Sequence, residues 1–152
     1  MYDNWIANAA VVLATAGAVC VSVLAHYEGL LWSGRGLARL HGARRAKVLY
    51  GIASVLALHV LEIWIFGLAL AALMQWPACG SIGPGAHHLF DVIYFSAMTY
   101  TTVGFGDLAP VGPIRFLAGT EALTGFVLIA WSASFTYLEM ERYWRPSGRS
   151  PD

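Results

Sequence analysis

Residues 99–107 read Thr-Tyr-Thr-Thr-Val-Gly-Phe-Gly-Asp and close a short apolar segment, Leu89–Val103. Segments that contain Gly and Pro bound it on both sides. The apolar segment is too short for a spanning helix, which needs ~20 residues, and its length is typical of a segment that enters the membrane and returns. Backbone at membrane depth must be hydrogen-bonded or line a water-filled cavity. We therefore expect residues 99–107 to line such a cavity.

The two glycines of this stretch, Gly104 and Gly106, alternate with Val103 and Phe105. Glycine tolerates positive φ, so this strand can alternate its hand and point successive carbonyl groups in one direction. The resulting oxygen ligands are the Thr102 hydroxyl and the carbonyls of residues 102–105. One stripe of oxygens cannot replace the hydration shell of an ion, whereas four stripes around an axis can. The pattern therefore predicts four copies of the chain around a central pore.

Three longer apolar runs surround this stretch, at Trp5–Tyr27, Val48–Trp76 and Phe116–Leu138. Each has the length of ~20 residues that a spanning helix needs. The composition agrees, because 58% of the residues are hydrophobic and only 12% are charged, against about a quarter charged in soluble domains. We predict an all-α integral membrane protein with three transmembrane helices.

The basic residues predict how the chain is oriented in the membrane. Most of them lie in two clusters, one between the first two runs and one after the third. Because basic residues concentrate on the cytoplasmic side, both clusters are expected there, with the N-terminus outside and the C-terminus cytoplasmic. The clusters are Arg35, Arg39, Arg44, Arg45 and Lys47, and Arg142, Arg145 and Arg149.

The chain resembles the potassium channel pore family through Thr101–Asp107, which matches the family signature T-V-G-[YF]-G-D. The resemblance implies a re-entrant pore helix, Asp91–Tyr100, followed by a selectivity filter. It also implies that K⁺, the permeant ion, binds at Thr102, Val103, Gly104 and Phe105, with Gly106 completing the filter. The similarity covers about fifty residues, Phe90–Leu138, with the preceding run as outer helix.

The resemblance and the runs together predict the domain organisation. We expect a peripheral transmembrane helix, a basic cytoplasmic linker, a pore domain and a cytoplasmic tail. The linker is either a short interfacial helix or a solvated loop. These parts are 1–34, 35–47, 48–138 (outer helix 48–76, pore helix and filter 87–110, inner helix 113–138) and 139–152.

Several residues around the filter are expected to support it. Tyr94 and Phe95 occupy two positions that usually hold Trp in the family, and the Tyr94 hydroxyl is expected to reach Asp107. Phe95 has no donor, and Phe105 has no hydroxyl to receive one, so we expect a less rigid filter that inactivates more readily. The expected supporting set is Asp107, Tyr94, Phe95, Thr99 and Thr101.

Two glycines, Gly119 and Gly125, lie in the third run. Gly125 falls near the hinge glycine of family inner helices, so the resemblance implies a gating hinge at Gly125 or Gly119. The alternative is that Gly125 allows close helix packing.

Two carboxylates lie inside the predicted spans. Glu62 follows His59 by one turn, and the pair is a candidate modulatory site because intramembrane ionisable residues are functional by default. The expected partners of Glu62 are His59, His26, Ser96 or Thr99, in a structural tie or a proton-sensitive brace. Glu121 is expected either to brace the filter or to be protonated.

Other classes of protein are disfavoured. The net charge is zero, which argues against nucleic-acid binding. No catalytic arrangement, cofactor motif, organic-substrate site or voltage-sensing Arg series is visible.

His87 and His88 are expected to be solvated or to sense external pH. Cys79 is expected to be free or to pair with its copy in another subunit.

The sequence therefore predicts a potassium-selective channel subunit that assembles as a homotetramer in the lipid bilayer of a bacterial inner or plasma membrane. Two alternatives remain. One is a non-selective cation channel on the same scaffold, favoured by the loosened filter. The other is a non-conducting membrane scaffold subunit.

Overall fold

The computed structural model describes residues 4–39, 44–83, 86 and 88–144. Its elements are α1 (Trp5–Arg39), α2 (Arg44–Met74), a 3₁₀ turn (Pro77–Cys79), α3 (Leu89–Tyr100) and α4 (Arg115–Trp144). Three of the helices, α1, α2 and α4, are long and apolar enough to cross a membrane. Within the described residues there is no β-strand, apart from one isolated bridge. The predicted all-α membrane fold is confirmed.

One face of α1 is buried, and its members recur every three or four residues, as expected for one helix face. Most of its residues are small or polar, with Leu30 and Leu37 as the large apolar members, whereas many bulky apolar side chains of α1 face outward. Lipid is as apolar as those exposed side chains, so polar groups are best placed inside the bundle. The buried face consists of Ala7, Val11, Thr15, Ala18, Ser22, His26, Leu30, Ser33 and Leu37.

Glycines bring α1 close to its neighbours. A Cβ at Gly29 would lie 2.7 Å from the Leu58 side chain, and one at Gly36 would lie 2.3 Å from the Tyr50 hydroxyl. Because Gly29 meets Leu58 while Gly36 meets the earlier Tyr50, α1 and α2 run antiparallel. The close approach also explains why the glycines do not end α1.

The boundary between α1 and α2 differs from the prediction. The described residues of the segment 35–47 are not a separate linker or interfacial helix, since α1 continues to Arg39 and α2 begins at Arg44. The spanning helices therefore carry the basic residues at their own ends. At the other end α2 stops at Met74, two residues earlier than predicted, because Pro77 follows.

Helix α4 is longer than predicted and reaches Trp144 instead of residue 138. No glycine or proline occurs between Gly125 and Pro146 to end it earlier. The predicted tail 139–152 thus starts as helix, and residues 145–152 lie outside the described part of the chain.

A small clamp holds the end of α2 against the start of α4. Ser81 and Val111 form two backbone hydrogen bonds of 3.1 and 2.7 Å, and the Ile114 N–H donates to the Cys79 carbonyl at 3.0 Å. Gly80, with φ 115°, packs so closely that a Cβ would lie 2.0 Å from the Val111 carbonyl oxygen. Cys79 is fully buried in this clamp, a position that disfavours a disulfide with another subunit.

Helix α3 packs between α2 and α4. It starts at Leu89, two residues before the predicted Asp91, because a capping box forms at its N-terminus. The His88 backbone N–H donates to the Asp91 carboxylate at 2.8 Å. His88 is thus an exposed helix cap, whereas His87 lies outside the described residues.

Candidate functional site

The backbone after α3 has a positive φ angle at every second residue. The φ angles of Thr102, Gly104 and Gly106 are 60°, 52° and 81°, so every second residue from 102 to 106 is left-handed. The sequence predicted this alternation at the two glycines. It did not predict Thr102, the one non-glycine residue with positive φ among the described residues, and a conformation of this kind is unfavourable by about 1–3 kcal/mol for a side-chain-bearing residue.

Backbone hydrogen bonds connect the start of this segment, which we call the foot of the filter, to α3. The Thr102 N–H donates to the Thr99 carbonyl at 3.0 Å, and the Gly104 N–H donates to the Met98 carbonyl at 3.1 Å. The Thr101 hydroxyl donates to the Ala97 carbonyl at 2.7 Å. Thr101 is therefore tied to the helix, while Thr99 supplies a backbone carbonyl.

The segment itself is uncovered in the single chain. All residues from 101 to 107 are exposed, including Val103 at 54% and Phe105 at 71%. Apolar side chains of this size normally find cover. This surface is the one that a second chain would have to cover.

The aromatic residues expected to support the segment lie in different surroundings. The Tyr94 hydroxyl interacts with the Asp107 carboxylate. Phe95 is only 5% exposed and belongs to the core of its own chain. Phe105 is outside that core, so a contact between Phe95 and Phe105 would have to form between neighbouring chains.

The two glycines of α4 have different environments. A Cβ at Gly125 would lie 2.1 Å from the Tyr100 carbonyl oxygen, whereas a Cβ at Gly119 would meet nothing within 4 Å. Gly125 thus permits α4 to contact the end of α3, which is the packing role. Helix α4 is continuous through both positions, and a hinge at either of them stays a prediction.

A buried polar cluster centres on Glu62, which is fully buried. The His26 Nδ1 lies 2.7 Å from its Oε1, and the His59 Nδ1 lies 3.0 Å from its Oε2. The Tyr100 hydroxyl donates to Oε2, and the Ser132 hydroxyl lies 3.3 Å from the His26 Nε2. With both Nδ1 atoms protonated, three donors converge on one carboxylate. We call these five residues the Glu62 cluster.

The Glu62 cluster joins all four helices, since His26 comes from α1, Tyr100 from α3 and Ser132 from α4. The sequence predicted His26 and His59 as partners, and both contacts are confirmed. The suggested partners Ser96 and Thr99 are not among the contacts of Glu62, and Tyr100 was missed. The only feature of the sequence that could have indicated Tyr100 is an aromatic hydroxyl in the last turn of the predicted pore helix.

Ser96 instead contacts the second intramembrane carboxylate. Its hydroxyl is hydrogen-bonded to Glu121 and lies 2.9 Å from the Ile63 carbonyl oxygen. A hydroxyl has one proton and can donate to only one of these two partners. A protonated Glu121 would satisfy both contacts by donating to Ser96 while Ser96 donates to Ile63. Glu121 is fully buried behind α3.

Comparisons with known proteins agree with this geometry. A family model described as an ion channel matches residues 58–140, more than half of the chain. Protein LctB of Geobacillus stearothermophilus is 30% identical over 115 residues, which cover 59% of this chain and 83% of that protein. No solved structure matches the chain.

A second relative is named as a potassium channel. The inward rectifier potassium channel Kirbac3.1 of Paramagnetospirillum magnetotacticum is 34% identical over 86 residues, which cover 55% of this chain and 29% of that protein. The chain thus spans less than a third of that relative. These matches confirm the resemblance to the potassium channel pore family and indicate a channel rather than an enzyme. The chain therefore belongs to the ion channel family.

Proposed function

We propose that the chain is the subunit of a homotetrameric channel that conducts K⁺ selectively. The alternating hand of Thr102, Gly104 and Gly106 is the observation that carries this proposal. Alternation points the intervening carbonyls in one direction, as K⁺ coordination requires. In the tetramer, carbonyls of Thr102, Val103, Gly104 and Phe105 replace the hydration shell, and K⁺ moves by knock-on between adjacent sites.

Two further features support conduction of a cation. Helix α3 ends at Tyr100, directly before the filter, and the negative end of its dipole favours a cation there. Residues 101–107 are exposed in one chain, which fits a surface that lines a shared axis. Both features are consistent with four subunits.

The proposed location is the plasma membrane, the inner membrane of a bacterium, with the C-terminus in the cytoplasm. The end of α1, the start of α2 and the end of α4 meet at one end of the bundle, where Leu37, Val48 and Met140 line a shared cavity. Arg35, Arg39 and other basic residues lie near this end. Their clustering supports a cytoplasmic assignment by the positive-inside rule.

The test is ion uptake into proteoliposomes that contain the purified full chain, with K⁺ and Na⁺ as competing ions. Wild type should take up K⁺ in strong preference to Na⁺. Gly104→Ala should abolish this uptake, because a Cβ at φ 52° strains the filter. The matched control is Gly17→Ala, where a Cβ meets nothing within 4 Å, and it should conduct as wild type does.

Other outcomes would lead to different functions. Equal uptake of K⁺ and Na⁺ would identify a non-selective cation channel on the same scaffold. The absence of uptake from a protein whose mass in mild detergent is that of a monomer would favour the non-conducting subunit. A tetrameric mass with selective uptake would establish the proposal.

A further inference from the structure

The Glu62 cluster contains the donor atoms of a metal site. One ring nitrogen from each of His26 and His59 and a carboxylate oxygen of Glu62 all lie within 4.8 Å of one another. The Tyr100 hydroxyl oxygen lies 3.0 Å from the His59 Nδ1 and contacts the same carboxylate. Two imidazoles, a carboxylate and a phenol oxygen therefore lie in one cluster.

The negative charge of the Glu62 carboxylate would be stabilised by a bound cation. Glu62 is fully buried, and a carboxylate at membrane depth is costly without a compensating charge. The Lys and Arg residues of the spanning helices lie near their ends, at positions 35, 39, 44, 45, 47, 115 and 142. Hydrogen bonds with His26, His59 and Tyr100 stabilise the carboxylate. A divalent cation held by the same side chains would compensate its charge.

The separations between each histidine and Glu62 are close to those a tetrahedral metal needs. Two ligand atoms bound at ~2.1 Å to a tetrahedral Zn²⁺ lie about 3.4 Å apart. The His26 and His59 contacts with Glu62 are 2.7 and 3.0 Å. The side chains would therefore have to separate by only about half an ångström to admit the ion. In the tautomer that carries its proton on Nε2, each imidazole has a free Nδ1 that can bind the ion.

We propose that His26, His59 and Glu62, with Tyr100 as fourth ligand, form a binding site for a divalent transition metal of the Zn²⁺ class. Imidazole and carboxylate donors in a four-coordinate arrangement suit this class of ion. Ser132 lies against the outer nitrogen of His26 at 3.3 Å and would orient that ring, as partners of metal-binding histidines do.

Access to this site is from one side. The His59 side chain is 14% exposed, while those of His26 and Glu62 are fully buried. His59 and Ser132 line a groove between α2 and α4, whose other lining residues are largely apolar. His59 is therefore the histidine ligand that is accessible from this groove.

A metal in this site would join three helices at the foot of the filter. His26 belongs to α1, His59 and Glu62 belong to α2, and Tyr100 is the last residue of α3. Tyr100 precedes Thr102 by two residues, so the ion would fix α1 and α2 relative to the first left-handed residue of the filter. Binding itself does not depend on conduction, so it is measured separately from the proposed function.

The experiment uses Co²⁺ and Zn²⁺ as probes on the full chain in lipid nanodiscs. Tetrahedral Co²⁺ gives strong visible absorption bands, which report coordination directly. The background variant replaces His41, His87 and His88 by Gln, so that His26 and His59 are the only histidines left. We expect this variant to bind one Co²⁺ per chain with tetrahedral bands, and Zn²⁺ to displace it.

In the same background, His59→Gln should reduce Co²⁺ affinity at least tenfold and remove the tetrahedral bands. Tyr100→Phe should keep the ion but change the bands, because it removes one of the four ligands. Zn²⁺ should also raise the thermal unfolding temperature of the background variant, since an ion that binds only the folded state stabilises it.

Two results would overturn the proposal. One is the absence of tetrahedral Co²⁺ bands in both wild type and the background variant, which requires no cluster mutant to fold. The other is unchanged Co²⁺ affinity and spectrum in a folded His59→Gln variant, which would assign any bound ion to other residues.

Discussion

A Cβ built on Gly125 would lie 2.1 Å from the carbonyl oxygen of Tyr100, so α4 contacts the backbone at the end of α3 directly. Gly125→Ala should therefore push α4 away from the foot of the filter. We expect a destabilisation of about 1–3 kcal/mol, the usual range for overpacking. The measurement is the thermal unfolding temperature of the detergent-solubilised protein, which should fall.

Gly119→Ala is the matched control on the same helix, because a Cβ there meets nothing within 4 Å in the chain. It should leave the unfolding temperature unchanged or slightly higher, since Ala favours helix by about 1 kcal/mol over Gly. Equal destabilisation by both variants would contradict the packing role. A change in open probability for Gly119→Ala, without a change in stability, would support the predicted hinge.

The two intramembrane carboxylates should respond differently to replacement by Gln. Glu62 receives donors from His26, His59 and Tyr100, and an amide there would turn its own N–H group toward those donors. Glu62→Gln should lower the free energy of unfolding by about 1–3 kcal/mol, because it leaves buried polar groups unpaired. Glu121→Gln keeps a donor for Ser96 and should unfold near the wild-type temperature.

Unfolding temperatures of the two Gln variants, compared side by side, check this difference. Glu121→Ala serves as control, since it deletes the Ser96 contact and leaves a cavity. A Glu121→Gln variant as unstable as Glu62→Gln would show that Glu121 is needed as a carboxylate and would rule out the protonated form.

Tyr94→Phe should weaken the support of the filter. The Tyr94 hydroxyl interacts with the Asp107 carboxylate, and this interaction connects α3 to the outer end of the filter. Current in planar bilayers should decay faster in this variant by a few-fold, corresponding to ~1 kcal/mol for one hydrogen bond. Asp107→Asn keeps an acceptor and is expected to decay more slowly than Tyr94→Phe. Identical decay of Tyr94→Phe and wild type would contradict a supporting role.

Cys79 should react slowly with maleimide reagents. Burial raises the pKa of its thiol above the ordinary value, so less thiolate, the reactive form, is present at any pH below that pKa. In a Cys20→Ala background, Cys79 should be labelled at pH 8 at least tenfold more slowly than an exposed cysteine. The exposed cysteine is supplied by Ser81→Cys in the same background with Cys79→Ala. Labelling of Cys79 should speed up as the pH rises, and unfolding should remove the difference. Rapid labelling of the folded protein would show that the clamp is open.

Much of the fold was predictable because the determinants are local. The lengths of three apolar runs gave three helices, and Gly104 and Gly106 indicated the alternating hand. Thr102 was not predicted in that conformation, because nothing in a threonine favours positive φ; its N–H donates to the Thr99 carbonyl near the end of α3. The helix ends were also misplaced at Arg39 and Trp144, since hydropathy marks where lipid contact ends and not where a helix ends.

The Glu62 cluster was predictable only in part. His59 lies one turn before Glu62 on the same helix, so sequence spacing alone places them together. The contact with His26 depends on how α1 aligns with α2, and that alignment depends on the close approaches at Gly29 and Gly36. Tyr100 comes from a third helix, and no spacing rule connects it to Glu62.

The buried polar face of α1 bears on whether the pore domain could exist by itself. A pore unit made of residues 48–138 would lack the His26 partner of Glu62, and lipid would meet a carboxylate oxygen where His26 now stands. The first helix is therefore not an accessory that was appended to an otherwise complete pore. Without α1, the remaining chain should be unstable and be degraded. Transfer of α1 to a relative would require transfer of its polar partners on α2, α3 and α4 as well.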